Sequence, residues 1–130
     1  MLRKILLASM VLGSMSFGIF EPIKGNWTNG QGQTIRFGKE NNCEWIFNMD
    51  GIKDTFRIKY HYEKTGKNTG ILDLGPFTRG VLKGKTLYGI LEWTNKRDAF
   101  KYDAQPGKKE TVRPKTFDPH DVQMYRKNKK

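Results

Sequence analysis

The sequence predicts an all-β protein, a small antiparallel up-and-down β-barrel of about eight strands, with a two-sheet β-sandwich as the alternative. Three observations predict it. Apolar and polar residues alternate with period two in run after run, which puts one face of each strand in a core and the other in water. Turn-forming pairs separate the runs: Asn29-Gly30, Asp50-Gly51, Thr65-Gly66, Lys83-Gly84, Asn95-Lys96 and Pro106-Gly107. No segment beyond residue 20 carries a helical period. An antiparallel meander of this length curls and closes, which removes its exposed edges.

The chain opens on a different pattern. Met1-Leu2-Arg3-Lys4 is a short basic start, and an uncharged stretch from Ile5 to Phe20 follows, apolar first and then small. This is the layout of a secretory signal peptide, expected over residues 1–18 with cleavage after Ser16 or Gly18. The apolar heart from Ile5 to Leu12 is too short to span a bilayer. The address that follows is export, periplasmic or fully secreted. The barrel is expected over residues 19–126 as one domain, and residues 127–130 form a basic tail.

The strands follow in order. One surrounds Trp27, and another runs from Thr34 to Phe37. In the next, Cys43, Trp45, Phe47 and Met49 alternate with Glu44, Ile46 and Asn48. Asp50-Gly51 then marks a hairpin, since both turn positions need positive φ. The clearest strand is Thr55 to Tyr62, where Phe56, Ile58, Tyr60 and Tyr62 face the core and Thr55, Arg57, Lys59 and His61 face water. Shorter strands are expected at Gly70 to Leu74, Gly80 to Leu82, Ala99 to Tyr102 and Val122 to Tyr125. Thr86 to Trp93 is apolar on both faces, with Leu87, Leu91 and Trp93 on one and Tyr88 and Ile90 on the other. Such a strand needs an outer cover, from a terminal segment, a loop or a partner subunit.

Charge and residue inventory narrow the chemistry. The 130-residue chain carries a net charge of +11, and loss of Arg3 and Lys4 with the leader leaves 22 basic against 13 acidic residues, or +9. Export makes nucleic acid an unexpected physiological partner; an anionic envelope surface remains a candidate one. The single cysteine, Cys43, cannot form an internal disulfide and reads as a packing residue. Serine is absent beyond the leader, which leaves no serine triad. Gly84-Lys85-Thr86 lacks the earlier glycine of a phosphate loop, because position 79 is Arg. The only histidines, His61 and His120, sit on a wet strand face and in a turn, so no metal site and no cofactor are expected. Glu44, Asp73, Glu92 and Asp103 are the acids from which an unrecognised carboxylate pair would have to come.

Ile23-Lys24-Gly25-Asn26-Trp27 places a G-x-W ahead of a series of short antiparallel strands. This resembles the opening of the lipocalin-like, or calycin, barrels. The resemblance implies that Trp27, with Gly25 beside it, plugs one end of the barrel beneath an Arg or Lys from near the last strand. Arg126 is the candidate, with Arg113 in reserve. Ile71-Leu72-Asp73-Leu74, Gly84-Lys85-Thr86 with Tyr88-Gly89-Ile90, and Arg113-Pro114 with Phe117 add a narrower resemblance, to a planctomycete-type family of short exported lipocalin-like proteins. Here Tyr88 precedes Gly89-Ile90, where that family places the tyrosine after. The resemblance implies a fold and an address, and it transfers no catalytic residues.

The expected function is a non-enzymatic one. A cup lined by Trp45, Phe47, Phe56 and Tyr60, with Arg36 or Arg57 at its mouth as an anion clamp, suits a small apolar or amphipathic ligand or an envelope component. An eight-stranded barrel is just wide enough either to hold one small ligand or to pack itself shut. The alternatives are an interaction module whose basic surface meets anionic polymers or a partner protein, and an enzyme with a carboxylate site.

Overall fold

The computed structural model describes residues 22–128. The leader expected over residues 1–18 lies outside the described residues, as do Lys129 and Lys130 of the tail.

Eight strands form one closed antiparallel barrel: β1 (Gly25–Thr28), β2 (Gln33–Phe37), β3 (Asn42–Met49), β4 (Ile52–Lys64), β5 (Thr69–Leu74), β6 (Thr86–Trp93), β7 (Ala99–Gly107) and β8 (Gln123–Lys127). Each strand pairs with the next in sequence, and β8 closes onto β1 through Trp27 opposite Lys127 and Thr28 opposite Arg126. Closure rules out the sandwich. The β3–β4 hairpin turns at Asp50-Gly51 with both φ angles positive, 53° and 78°, as that dipeptide requires. It sets the register that brings Cys43 opposite Ile58 and Trp45 opposite Phe56.

Several boundaries differ from the sequence expectation. Residues 80–82 form no strand: they make the tip of a loop, 75–85, in which the Lys83 N–H bonds the Gly80 carbonyl at 3.1 Å. β7 runs on through Pro106, which ends opposite Leu87 instead of starting a turn. β8 extends to Lys127, so that residue belongs to the barrel and not to a tail.

The inward rows meet in a single aromatic core. Trp27, Ile35, Phe37, Ile58, Leu72, Leu74, Leu91, Phe100 and Tyr125 are all buried. At one end Trp27 stands edge-on to Trp93 at 5.4 Å and to Phe100 at 5.0 Å, and its Nε1–H donates to the Ile23 carbonyl at 2.8 Å. Ile23 is fully buried against this cluster and stoppers that end. Gly89 in β6 has a packing reason: a Cβ there would stand 2.4 Å from Cε1 of Tyr102. The bare backbone lets the phenol cross the strand and donate to the Leu72 carbonyl at 2.9 Å.

β6 receives its outer cover from residues 108–122, the connection between β7 and β8, which folds back as a strap over β5, β6 and β7. Arg113 holds it with a bidentate pair to Asp73, 3.1 Å for Nη2 to Oδ2, and a bond to the Gly89 carbonyl at 3.0 Å. Its guanidinium lies 5.5 Å from the centre of the Tyr88 ring. Further along, the Asp118 N–H donates to Asp103 at 2.8 Å, and Lys101 sits 4.8 Å from the Phe117 ring centre. Of the three covers weighed from sequence, the loop is the one that the described residues show.

Candidate functional site

The inward aromatics come only partly together. Trp45, Phe47 and Phe56 share a cavity of about 110 Å³ with Phe77, Val81 and Leu82. Trp45 also borders a second cavity of about 130 Å³, with Tyr102, Gln123 and Tyr125. Sites for drug-sized ligands run to roughly 300–1,000 Å³, so neither space admits one. Phe77 and Leu82, from the loop 75–85, fill the mouth: Phe77 is 5.8 Å from Trp45 and 5.7 Å from Phe56, centre to centre. Tyr60 stands at another level, edge-on to Phe37 at 4.9 Å, with its hydroxyl 3.5 Å from the Gly38 carbonyl. The expected cup lined by all four aromatics is therefore filled by protein.

The expected clamp arginines do not reach a mouth. Arg36 and Arg57 lie on the outer face, in one cross-strand row with Glu44 between them. Arg36 bonds Glu44 Oε1 at 3.0 Å and Arg57 bonds Oε2 at 3.2 Å, two guanidiniums on one carboxylate. In the adjacent row Lys59 donates to Asn42 Oδ1 at 2.7 Å. These residues flank an open groove of about 540 Å³, which runs over the backbone at Cys43 and Ile58 toward Gly38, Pro76 and Thr78. Three cations against one carboxylate leave its rim positive. Between the polar heads its walls are largely aliphatic, made by the stems of Arg36, Arg57 and Lys59 together with Pro76.

The barrel-closing expectations resolve differently from one another. Trp27 is buried in the aromatic core at one end of the barrel, and Gly25 starts its strand. The cation over Trp27 is Lys127, whose Nζ lies 4.8 Å from the ring centre and donates to the Lys24 carbonyl at 2.9 Å. Arg126 is one residue off in parity and lies exposed, opposite Thr28 and Ala99. Arg113 holds the strap instead. Gly25 has φ +114°, and a Cβ there would meet Lys127 Nζ at 2.7 Å, so the glycine leaves the passage through which the lysine reaches the tryptophan.

The candidate chemical groups sit with separate partners. Glu44 is held by the two arginines, Asp73 by Arg113, Glu92 by Lys101 at 3.3 Å, and Asp103 by the Asp118 amide. Burial, with a smaller contribution from the Glu44 charge, pushes the Cys43 thiol up to about 12, so at neutral pH it is a protonated packing group. His61 is exposed beside Glu63 at 3.3 Å, and His120 lies in an exposed turn. Among the described residues no group of three His, Cys, Asp or Glu side chains is placed to hold a metal ion.

Phe77, Leu82 and Lys59 are the site residues that sequence reasoning missed. Phe77 carried a signal, a large aromatic between Gly75-Pro76 and Gly80, where a solvated loop has no use for one. No family model matches the chain, and no curated protein or solved structure matches it significantly.

Proposed function

We propose that this protein is an exported, non-enzymatic barrel of lipocalin-like kind that binds an anionic amphiphile on its outer face. The observation that carries this reading is the groove beside Arg36, Arg57 and Lys59, aliphatic in its walls and cationic at its rim, on a barrel where Trp45 borders interior cavities of about 110 and 130 Å³. A phosphate or carboxylate head takes the place of water between Arg57 and Lys59, and an acyl chain lies along Pro76 and the lysine and arginine stems. Two cations gathered at one head favour an anion over a neutral group of the same size.

Dodecyl phosphate, titrated into the protein by calorimetry and native mass spectrometry, tests it against dodecyl maltoside, which has the same tail and no charge. The expected outcome is one bound dodecyl phosphate per chain, with affinity about tenfold weaker in Arg57→Gln/Lys59→Gln, as for the loss of about 1.4 kcal/mol. Equal binding of both amphiphiles, or of dodecyl phosphate to both proteins, would sink the reading. Native mass spectrometry of the protein taken from its own host's envelope adds the cargo mass and the mature N-terminus, expected at Phe17 or Ile19.

A further inference from the structure

The end of the barrel that the loop 75–85 fills carries two projecting tips. One is the β3–β4 hairpin, where Met49 is 52% and Ile52 74% exposed; the other is the Gly80–Lys83 turn, where Val81 is 98% exposed. Of the four large apolar residues exposed among the described residues, three stand on these tips. The tips belong to one end, because the loop is tied to the hairpin: Arg79 bonds Asp54 at 2.7 Å and the Thr55 carbonyl at 2.6 Å. Val81 also borders the same cavity as Phe47 and Phe56.

Scattered exposed aliphatics are ordinary, but exposed aliphatics concentrated on adjoining turns call for a partner. Charge identifies it. Lys53, Arg79, Lys83 and Lys85 flank the tips, against Asp50 and Asp54, and Asp54 is occupied by Arg79. Aliphatic points within a cationic collar match an anionic bilayer, whose headgroup layer attracts lysines while the acyl boundary accepts the side chains between them. We propose that this end of the barrel docks on anionic membrane, with Met49, Ile52 and Val81 entering the interface and Lys53 and Lys83 meeting lipid phosphates. The docking residues Met49, Ile52, Val81, Lys53 and Lys83 are not among those that line the groove.

Sedimentation of the full chain with phosphatidylcholine vesicles containing phosphatidylglycerol, and with pure phosphatidylcholine, tests the proposal. The wild type is expected to sediment with the anionic vesicles and to be released by salt. Met49→Ser/Ile52→Ser/Val81→Ser should bind about tenfold or more weakly, since the apolar share of the attraction goes with the side chains. Its substitutions are at exposed positions, and an unchanged circular dichroism spectrum and melting temperature establish that it folds. Val81→Trp reports insertion directly: its added emission should shift to the blue on anionic vesicles and stay unshifted with phosphatidylcholine. Arg57→Gln/Lys59→Gln, which removes two cations but leaves the tips intact, should weaken sedimentation less than the triple variant does and should keep its salt release. A wild type that stays in the supernatant, a triple variant that binds equally well, an unshifted tryptophan, or binding lost only in the groove variant would each overturn the proposal.

Discussion

Arg113→Met removes three of the bonds that fasten the strap, two to Asp73 and one to the Gly89 carbonyl, while the methionine keeps most of the volume of the arginine stem. The side chains of Arg113 and Asp73 are only 16% and 13% exposed. Hydrogen bonds to charged groups contribute about 1.5–3 kcal/mol, and stripping one partner from a fully buried ion pair costs about 3–5 kcal/mol. Residual exposure lowers this, and we expect a loss of about 2–3 kcal/mol. Asp73→Asn should cost less, about 1–2 kcal/mol, because an amide oxygen still accepts from the Gly89 N–H that Asp73 now faces at 3.3 Å. The double variant should be no less stable than Arg113→Met alone, giving a coupling of about 1–2 kcal/mol. Urea midpoints of the four proteins measure the cycle. Hydrogen exchange locates it: amides of residues 108–122 should lose protection while β2, β3 and β4 keep theirs. An Arg113→Met variant within about 0.5 kcal/mol of wild type, the range of an ordinary surface change, with unaltered exchange in the strap, would refute the assignment of Arg113 as its fastener.

Two further outcomes follow from the core. Gly89→Ala drives a methyl to 2.4 Å from Tyr102, a ring that cannot retreat without giving up its bond to Leu72, so a urea midpoint corresponding to about 3 kcal/mol less stability is expected; a loss below about 0.5 kcal/mol would show that the phenol moves freely. The Cys43 thiol ordinarily ionises near 9.0 and is pushed up to about 12 by burial, so above pH 9 the unfolded chain releases a proton that the folded one keeps. Stability is unaffected by this group below that point and falls by about 1.4 kcal/mol per pH unit from there toward 12. Buried Tyr102 and Tyr125, both raised, add to the fall at higher pH. Between about pH 8 and about pH 11, Cys43→Ala should lose about 2.7 kcal/mol less than wild type; parallel curves from urea titrations would show that the thiol ionises freely in the folded barrel.

The strands were legible because alternation acts locally and because a closed barrel gives most of its strands only one dry side. Cys43 opposite Ile58 and Trp45 opposite Phe56 could be paired from the Asp50-Gly51 turn alone. Parity also holds the information that the reading of Arg126 passed over: with Tyr125 inward, the next inward residue is Lys127, the one found over Trp27. Position along the barrel is another matter. Tyr60 shares a face with Phe56, yet four residues of a strand rise roughly 13 Å, enough to put the two rings at different levels. Arg36 and Arg57 alternate against inward residues, so an outward place was legible for both; a clamp at the mouth of the cup asked them to be on the wrong side of the wall. The strap was not legible, because residues 108–122 have no period, and Arg113 and Asp73 are forty positions apart with no local signal joining them.

The two ends of the barrel form a seam. β1 and β8 meet through Trp27 with Lys127 and Thr28 with Arg126, reinforced by Lys127 on the Lys24 carbonyl and by the Asn128 N–H on the Asn26 carbonyl at 2.8 Å. Every other pair joins strands adjacent in sequence and can form in the order in which the chain emerges. The seam spans roughly a hundred residues, and its loop-closure entropy has to be met before any of its contacts exist. A chain that emerges N-terminus first therefore stays open along one edge until residues 123–127 have followed. The tryptophan that comes early waits for a lysine that comes late, and only their meeting locks the barrel.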